Sequence, residues 1–462
     1  MTTLYKSTAT EVVTLLKSNE ISCTEVLEEL RLRIETVDVT LNALPTLCFD
    51  RAVSHANKIQ AMPVRERGRL CGLPVAIKDL TPVEGVRTTF GSIIHENFIP
   101  VQSDQLVNRI EGEGGVIYAK SNTPEFGAGG ITFNDVFGIT RSPHNTLFAS
   151  GGSSGGAAAA LASGCSWLSH GSDMAGSLRT PAAFCGVSSL RPSPGTIRSD
   201  SDVLPFQVLG AEGPMARNIK DLALFADVMR NEGKDEMQQA FESVPAIKLK
   251  NAAVAVSENL GVTSVSDEIA QHFHEFVSKL QPYTGKLEER HPVATEAQEA
   301  FDIIRAMIFA VVLEDTLARH PGKMKPELVW NIEKGIALES ADYRRALRGQ
   351  GRVVSEAQIF MQEFDVLICP ATSIGCVPAE HRFPGHGTGT PIPDYYRWLS
   401  IACASTTMAL PVITIPVGKL PNNMPFAVQL IGKPWGEARL FQVARQIEEI
   451  AGYDSTPVDP MS

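Results

Sequence analysis

The sequence predicts one large α/β domain over residues 1–462, in which helices cover both faces of a mixed, twisted β-sheet. Hydrophobic residues make up 44% of the chain and charged residues 20%, which suits a globular protein with a large core. Apolar runs such as VLIC (366–369) and VITIPV (412–417) have the composition of buried strands. These runs alternate with segments of helical periodicity, and no internal repeat divides the chain into smaller units.

Residues 8–37 predict a pair of amphipathic helices. Each helix begins with a capping box, Thr8 with Glu11 and Ser22 with Glu25, in which the two side chains satisfy free amide groups of the first turn. Apolar residues follow at helical spacing, namely Val12, Leu15 and Leu16 and then Val26, Leu27, Leu30 and Ile34.

An apolar segment over residues 69–79, RLCGLPVAIKD, predicts a buried strand that ends at Lys78. A lysine in this position usually extends its charged end to solvent, so the segment alone assigns it no chemical role. A helix and a second strand follow, and they lead into a loop over residues 127–150 that is rich in Gly, Asn and Pro. We expect this loop to wall one side of a pocket, with Gly127 and Gly129 as candidate substrate-binding residues.

Two glycine- and serine-rich turns, GGSSGG at 151–156 and GSDMAGS at 171–177, form the most distinctive part of the chain. The alanine-rich segment between them favours a helix, so residues 150–195 predict loop, helix, short strand, loop and helix. Each turn ends where a helix begins, which would direct unpaired amide groups into the space between the turns. A flexible linker and a phosphate cradle are the alternatives, although the G-x-x-x-x-G-K-[ST] spacing of a cradle is missing.

The middle of the chain carries fewer signals. Residues 213–229 predict a helix on which Arg217 and Asp221, four residues apart, form a local ion pair. Residues 231–360 predict a variable helical region, with charged helices such as residues 334–348 and no motif of a chemical site.

Residues 364–444 predict the C-terminal strands of the sheet and a closing helix. Within them, residues 380–398 form a long Pro- and Gly-rich segment without periodicity, interleaved with four aromatic residues: Phe383, Tyr395, Tyr396 and Trp398. Long loops of this kind are usually functional. We therefore predict that this segment covers an apolar pocket and that Tyr395 and Tyr396 bind the substrate.

Charge and cysteine content exclude several functional classes. The net charge of -11 argues against nucleic acid or an anionic membrane surface as a partner. The eight cysteines include no C-x-x-C pair, and no Cys/His spacing is typical of a zinc site. The N-terminal residues MTTLYKSTATE lack the apolar region of a signal peptide, and no apolar run reaches 18 residues. These observations predict a cytoplasmic protein that holds no metal and spans no membrane.

The two turns, taken with their flanks, resemble the signature of the amidase signature family, which comprises serine hydrolases of amides. Gly151–Ala160 and Gly171–Gly186 carry the two halves of that signature, and Gly72–Asp79 matches the family pattern G-x-P-x-x-x-K-D. The resemblance covers residues 8–230 and 364–444 in pieces. It implies the amidase signature fold, hydrolysis of an amide C–N bond and no metal or organic cofactor.

The resemblance also implies a role for each residue of the site. Ser177 would be the nucleophile, Ser153 the serine that relays its proton, and Lys78 the base, with a cis peptide between Gly152 and Ser153. The oxyanion hole would be formed by the backbone amides of Met174, Ala175, Gly176 and Ser177. The supporting residues would be Ser154, Asp173 and Arg179.

This chemistry needs an activated nucleophile and a site for the tetrahedral oxyanion, because an amide carbonyl is a poor electrophile. A neutral Lys78 could accept the proton of Ser177 through the hydroxyl of Ser153, which both donates and accepts hydrogen bonds. The role requires burial to lower the lysine pKa from about 10.4 toward about 7–8. His144 and His170, which lie near the two turns, are the alternative bases.

The chain departs from the family pattern at two places. Ala175 stands where the family usually has glycine, and alanine still donates its backbone amide. Residues 190–199, LRPSPGTIRS, replace the common L-K-P-T-x-G-R. The related amidotransferase subunit that releases ammonia from glutamine typically shows S-I-R-Q-P and Y-G-R-V-S, where this chain has SLRTP (177–181) and GTIRS (195–199).

These patterns predict a free-standing amidase that hydrolyses a small or aryl amide, with esters and carbamates as further substrates. Two alternatives stay open, namely an inactive scaffold on the same fold and the glutamine-hydrolysing amidotransferase subunit. The expected partner is a small-molecule amide, and a homodimer is left open.

Overall fold

The computed structural model describes residues 3–200, 204, 206–231, 240–386 and 395–461. The helices of these ranges are α1 Ala9–Lys17, α2 Cys23–Leu41, α3 Phe49–Gln60, α4 Gln105–Gly112, α5 Gly155–Ala162, α6 Arg179–Cys185, α7 Ile219–Met229, α8 Asp267–Leu280, α9 Ala297–Arg319, α10 Pro326–Ile336, α11 Ser340–Glu363, α12 Ser400–Thr407 and α13 Glu437–Ala451. The strands are β1 Thr46–Leu47, β2 Pro74–Lys78, β3 Val116–Ser121, β4 Phe133–Asn134, β5 Gly138–Ile139, β6 Arg141–Ser142, β7 Asn145–Ala149, β8 Leu168–Asp173, β9 Ser188–Arg191, β10 Ala211–Ala216, β11 Ala253–Val256, β12 Lys286–Glu289, β13 Val366–Pro370, β14 Val412–Lys419 and β15 Pro425–Ile431.

One mixed sheet organises the described part of the chain. Its eleven strands follow the order β1-β3-β2-β8-β10-β9-β14-β15-β13-β11-β12. Strand β2 lies parallel to both β3 and β8, and β11 lies parallel to both β12 and β13. In the centre of the sheet, β10 runs antiparallel to β8 and β9, and β14 runs antiparallel to β9 and β15. The predicted α/β class with a mixed sheet is therefore confirmed.

Strand β13 shows that both faces of the sheet are buried. Successive side chains of a strand point to opposite faces. Val366 and Ile368 belong to a hydrophobic cluster that includes residues of α8 and α13, whereas Leu367 and Cys369 belong to a second cluster with residues of α11 and α12. The continuous apolar run of this strand thus reflects helices packed on both sides.

The N-terminal helix pair forms as predicted, and both capping boxes are present, at Thr8 and at Ser22. The predicted ion pair of the α7 segment is wrong. Arg217, which precedes α7, donates to the backbone carbonyls of Tyr5 and Ser7, while the Asp221 carboxylate accepts from the amides at the start of α1. The two charged side chains therefore attach the N-terminal segment and the start of α1 to α7 and the residue that follows β10.

The predicted helix over residues 334–348 is also wrong, because the chain breaks there into α10 and α11. The break follows from a capping box: the Glu339 side chain accepts from the amide of Asp342, and the Asp342 side chain accepts from the amide of Glu339. In the predicted covering segment, residues 387–394 lie outside the described residues.

Other predicted features concern membranes, metals and thiols. No helix in the described ranges has both the length and the apolar character that crossing a bilayer demands. Within the same ranges, no three His, Cys, Asp or Glu side chains converge as a metal site. All eight cysteines are free thiols.

Candidate active site

The site lies where β2 and β8 end. The two strands are neighbours and parallel, with Val75 opposite Leu168 and Ala76 opposite Ser169. Because carboxyl ends of parallel strands meet at one edge of a sheet, Lys78 at the end of β2 comes next to Ser172 near the end of β8. Ligands of open α/β sheets commonly bind at such an edge.

The GGSSGG turn reaches this edge as a fixed loop, so the flexible-linker alternative is wrong. The Gly152–Ser153 peptide is cis, as the family resemblance implied. The turn packs closely against other backbone: a Cβ on Gly156 would lie 2.2 Å from the backbone nitrogen of Asn122, which leaves room only for glycine. The amides of Ser154, Gly155 and Gly156 donate to Ser177 O, Thr132 Oγ1 and Asn122 O.

The hydrogen bonds of these three amides correct the expectation that the first amides of α5 point unpaired into the site. They are satisfied within the protein, which also removes them as the donors of a phosphate cradle.

Lys78 is fully buried and surrounded by serine hydroxyls. Its Nζ lies within hydrogen-bond distance of three hydroxyl oxygens: Ser153 Oγ at 2.7 Å, Ser154 Oγ at 2.8 Å and Ser172 Oγ at 3.0 Å. In the part of the chain that the structure describes, no carboxylate lies within ion-pair distance of this nitrogen. A buried amine without a counter-charge is stabilised in its neutral form.

Burial accordingly lowers the pKa of Lys78 to about 7, against the opposing influence of the Glu212 and Asp173 carboxylates, which raise it. A base with a pKa near the working pH is best suited to take and return a proton. The predicted pKa range of about 7–8 for a catalytic lysine is consistent with this environment.

We expect kcat/KM to rise with pH and to reach half its maximum near pH 7, because only the neutral amine of Lys78 can accept a proton. Glu212→Gln should move this rise to lower pH, since the Glu212 carboxylate raises the pKa of Lys78. The glutamine keeps an acceptor oxygen for His170 Nε2, which now lies 2.7 Å from Glu212 Oε2. The measurement is the kcat/KM profile of both proteins between about pH 5 and 9, and a profile that is flat across this range would contradict the assignment.

Ser177 lies in the turn between β8 and α6, next to Ser154, and is 9% exposed. Its carbonyl accepts from the amide of Ser154, which ties the two turns together at 3.1 Å. Ser153 and Ser177 line the same cavity, but the hydrogen bonds of the described residues include none between their hydroxyl groups. Catalytic hydrogen bonds are often long before substrate binds, so the relay remains a prediction.

The candidate oxyanion hole has three free amide donors among the described residues, one fewer than predicted. The amide of Gly176 donates to Asp173 Oδ1 at 2.9 Å, so the carboxylate already uses this donor. The amides of Met174, Ala175 and Ser177 have no hydrogen-bond partner among the described residues. These three remain the candidate oxyanion donors, and Met174, Ala175 and Ser177 all line the cavity.

Asp173 and Arg179 brace the turn that carries Ser177. The Asp173 carboxylate accepts from the amides of Gly176 and Leu178 and pairs with Arg179 at 2.8 Å. Burial would raise the pKa of Asp173, but the guanidinium groups of Arg179 and Arg191 hold it well below its usual range. Arg179 also reaches the C-terminal part of the fold, where its acceptors are Ala402 O, Ser405 Oγ, Thr406 Oγ1 and Gln429 Oε1.

Neither alternative base is placed for proton transfer to a serine. His170 accepts from the backbone amide of Lys78 at Nδ1, so its Nε2 carries the proton and donates to Glu212. His144 Nε2 contacts the carbonyl of Cys185 at 3.0 Å, and burial lowers the pKa of His144 to about 4. Both imidazoles are buried and bound within the structure.

A cavity of about 560 Å³ opens above Ser153 and Ser177. This volume lies within the usual range of small-molecule sites. Gly127, Gly129, Tyr395 and Tyr396, predicted to bind substrate, all line it. Most of its wall is apolar and includes Phe90, Phe126, Ile308, Phe309, Leu313 and Leu399.

Helix α9 supplies one side of the cavity, although its segment was predicted to carry no chemistry. It contributes Arg305, Ile308, Phe309, Val312 and Leu313 to the wall. A spacing of three and four residues places them on one helix face, and that spacing is the signal that could have found them. The same spacing is typical of any core-facing helix, so it predicts burial without indicating a cavity.

Comparisons with known proteins agree with this geometry. The family model described as Amidase matches residues 25–441. The chain is 29% identical to an acylamidase of Rhodococcus erythropolis over 99% of this chain and 98% of that protein. It is 30% identical to a Glutamyl-tRNA(Gln) amidotransferase subunit of Moorella thermoacetica, over 97% and 98% respectively. The structure of a bacterial aryl acylamidase superposes with a TM-score of 0.89 at 23% identity, covering 97% of each chain.

Proposed function

The chain belongs to the amidase signature family, and on that basis we propose that it is a free-standing amidase that hydrolyses the C–N bond of a small or aryl amide. The observation that carries the proposal is the buried Lys78, whose Nζ lies 2.7 Å from Ser153 Oγ at the base of the cavity that Ser177 lines. Esters and carbamates, which form the same kind of acyl-enzyme, are proposed as further substrates.

In the first half of the reaction, Ser177 Oγ attacks the amide carbonyl. Its proton passes to Ser153 Oγ, and the proton of Ser153 passes to the neutral Nζ of Lys78. The amides of Met174, Ala175 and Ser177 are positioned to stabilise the negative oxygen of the tetrahedral intermediate. The C–N bond then breaks as the leaving nitrogen takes the proton back through the same hydroxyl, which leaves an acyl ester on Ser177.

In the second half, water replaces the amine. It attacks the acyl ester while the Ser153 hydroxyl and Lys78 accept its proton, and the acid product leaves as Ser177 regains a proton. Each half of the reaction begins with a neutral lysine, which the burial of Nζ favours.

The test compares the wild type with Ser177→Ala on two substrate sets. Primary amides, including glutamine, are followed by released ammonia, and aryl amides and carbamates by released aromatic amine. We expect turnover mainly of the aryl set and its loss by about four to six orders of magnitude in Ser177→Ala. Ser278→Ala, at an exposed serine of α8 outside the cavity, is the control and should change activity by less than about threefold. Equal activity in Ser177→Ala and wild type would refute the assignment.

A second candidate is the glutamine-hydrolysing amidotransferase subunit, because relatives named as subunits of Glutamyl-tRNA(Gln) amidotransferase match at 28–30% identity. The segments SLRTP (177–181) and GTIRS (195–199) differ from the patterns typical of that subunit. Ammonia release from glutamine alone would favour this candidate. If the folded protein hydrolyses neither substrate set, the inactive scaffold is favoured.

A further inference from the structure

Arg305 places a buried positive charge in the wall of the cavity. It lies on α9, is 4% exposed and shares the cavity with Ser153 and Ser177. The proposed mechanism gives it no role. Arginine stays protonated in proteins, so this charge is permanent at any working pH.

The neighbours of this guanidinium are neutral. Its two terminal nitrogens donate to Asn331 Oδ1 and to the hydroxyl of Tyr395. Three aromatic rings surround it, with centroids 4.6 Å away for Phe309, 4.6 Å for Tyr396 and 5.6 Å for Tyr395. The rings stabilise a cation through their π faces, and the two acceptors fix the plane of the group. Neither kind of contact supplies a negative charge.

The carboxylate on the preceding helical turn does not neutralise Arg305. Asp302 accepts from the hydroxyl of Tyr396 at 2.7 Å and pairs with Arg397 at 2.9 Å. Across the described ranges, no carboxylate forms a salt bridge with Arg305, whereas Arg179, another buried arginine, is paired with Asp173. Burial of a charge without a counter-charge is costly, and an anion entering the cavity would remove that cost.

We propose that Arg305 binds a carboxylate of the substrate, so that the amides hydrolysed here carry a carboxylate distant from the scissile bond. This inference rests on the proposed amidase function and narrows its substrate class. The planar guanidinium matches a carboxylate with two parallel hydrogen bonds. Because the rest of the wall is mostly apolar, the body between the carboxylate and the amide would be aliphatic or aromatic.

The test uses two matched pairs of amides, in which a neutral nitro group replaces the carboxylate at equal size. On the acyl side, the anilide of glutaric acid is compared with the anilide of 4-nitrobutanoic acid. On the amine side, 3-acetamidobenzoate is compared with 3-nitroacetanilide. The ratio of kcat/KM within a pair is compared between wild type and variants, so that intrinsic reactivity cancels.

We expect the wild type to prefer the carboxylate member of at least one pair, and Arg305→Met to reduce that preference by about 10–100-fold. Arg305→Lys should restore part of the preference because it keeps the charge without the planar fork. A purely structural role would lower both members of a pair equally and leave the ratio unchanged. That result, or the absence of any preference in the wild type, would overturn the inference.

A binding measurement on the wild type covers the case in which Arg305→Met does not fold. Calorimetry should detect benzoate binding at least about tenfold more tightly than nitrobenzene, which has the same size, carries no charge and contains no bond that an amidase hydrolyses. Equal binding of the two compounds would overturn the inference. Hydrolysis of the nitro members without carboxylate preference refutes the Arg305 assignment alone, whereas a folded wild type that hydrolyses no amide refutes the proposed function.

Discussion

Lys78→Met is expected to lower kcat/KM by about 10⁴-fold while making the protein more stable at and below neutral pH. The loss of activity is expected because Lys78 is the proposed base, which takes the proton of Ser177 through Ser153. The gain in stability follows from removal of a fully buried amine whose pKa is lowered to about 7 by burial. Methionine fills similar space without the cost of desolvating a charge.

The sign and the pH range of this gain are fixed by the lysine pKa. Below pH 7 the amine is protonated in both folded and unfolded chains, so the folded state bears the full cost of the buried charge. Between pH 7 and the ordinary lysine value of 10.5, the folded protein has lost the proton that the unfolded chain retains. In this range stability therefore rises with pH, and the cost of the buried amine declines until it vanishes above the ordinary lysine value. Urea unfolding should show Lys78→Met more stable by on the order of 2 kcal/mol at about pH 6, with a smaller gain at about pH 9.

Lys120→Met is the matched control, since Lys120 is an equally buried lysine on the neighbouring strand β3. Its Nζ lies 3.2 Å from Asp79 Oδ1 and also donates to Thr81 O and Thr88 Oγ1. Its removal leaves the Asp79 carboxylate buried without a cation, so we expect a loss of about 3–5 kcal/mol of stability. The folded fraction should keep activity within about tenfold of the wild type.

The two lysines therefore have opposite expected effects. Loss of activity with a gain in stability at Lys78, and loss of stability with retained activity at Lys120, would separate a catalytic from a structural buried lysine. Destabilisation by Lys78→Met with full activity in the folded fraction would remove Lys78 from the mechanism.

Arg179→Met is expected to cost about 3–5 kcal/mol of stability, which is a large part of the total for a typical domain. The substitution deprives the buried Asp173 carboxylate of its closest cation and removes the hydrogen bonds of Arg179 to α12 and β15. Activity should fall as well, because Asp173 holds the amides of the turn before Ser177. The midpoint of urea unfolding and the residual kcat/KM measure the two effects.

Two further variants serve as controls for the Arg179→Met prediction. Arg31→Met removes an exposed arginine that pairs with Glu28 and Glu35 on one helix, and it should change stability little because solvent screens these pairs. The double variant Asp173→Asn with Arg179→Met should regain part of the lost stability, since the buried carboxylate that has lost its closest cation is gone. A loss no larger than that of Arg31→Met would show that the buried pair contributes little.

Much of this architecture could be predicted because its signals are local. The capping boxes at Thr8 and Ser22 need only neighbours three residues away, and the apolar strands are visible as continuous runs. The two serine turns are recognisable because close backbone packing requires glycine, as at Gly156. The family resemblance then supplied the roles of the site residues, which spacing alone did not.

The remaining features depend on contacts between distant residues. Arg217 looked like the partner of Asp221, but it binds backbone carbonyls of the N-terminal segment more than 200 residues away. Arg305 has the sequence context of any charged residue on an amphipathic helix, and only the fold shows that it faces the cavity. The Gly176 amide was predicted to be free because the sequence does not show which donors Asp173 accepts from.

The contacts of Arg179 also predict that the turn carrying Ser177 is held in place only late in the synthesis of the chain. Its acceptors on α12 and β15 lie 223–250 residues further along the chain. A ribosome would therefore release Lys78, Ser153 and Ser177 long before the groups that hold the Ser177 turn in place. We therefore expect a nascent chain halted before residue 400 to carry all three proposed catalytic residues without hydrolytic activity.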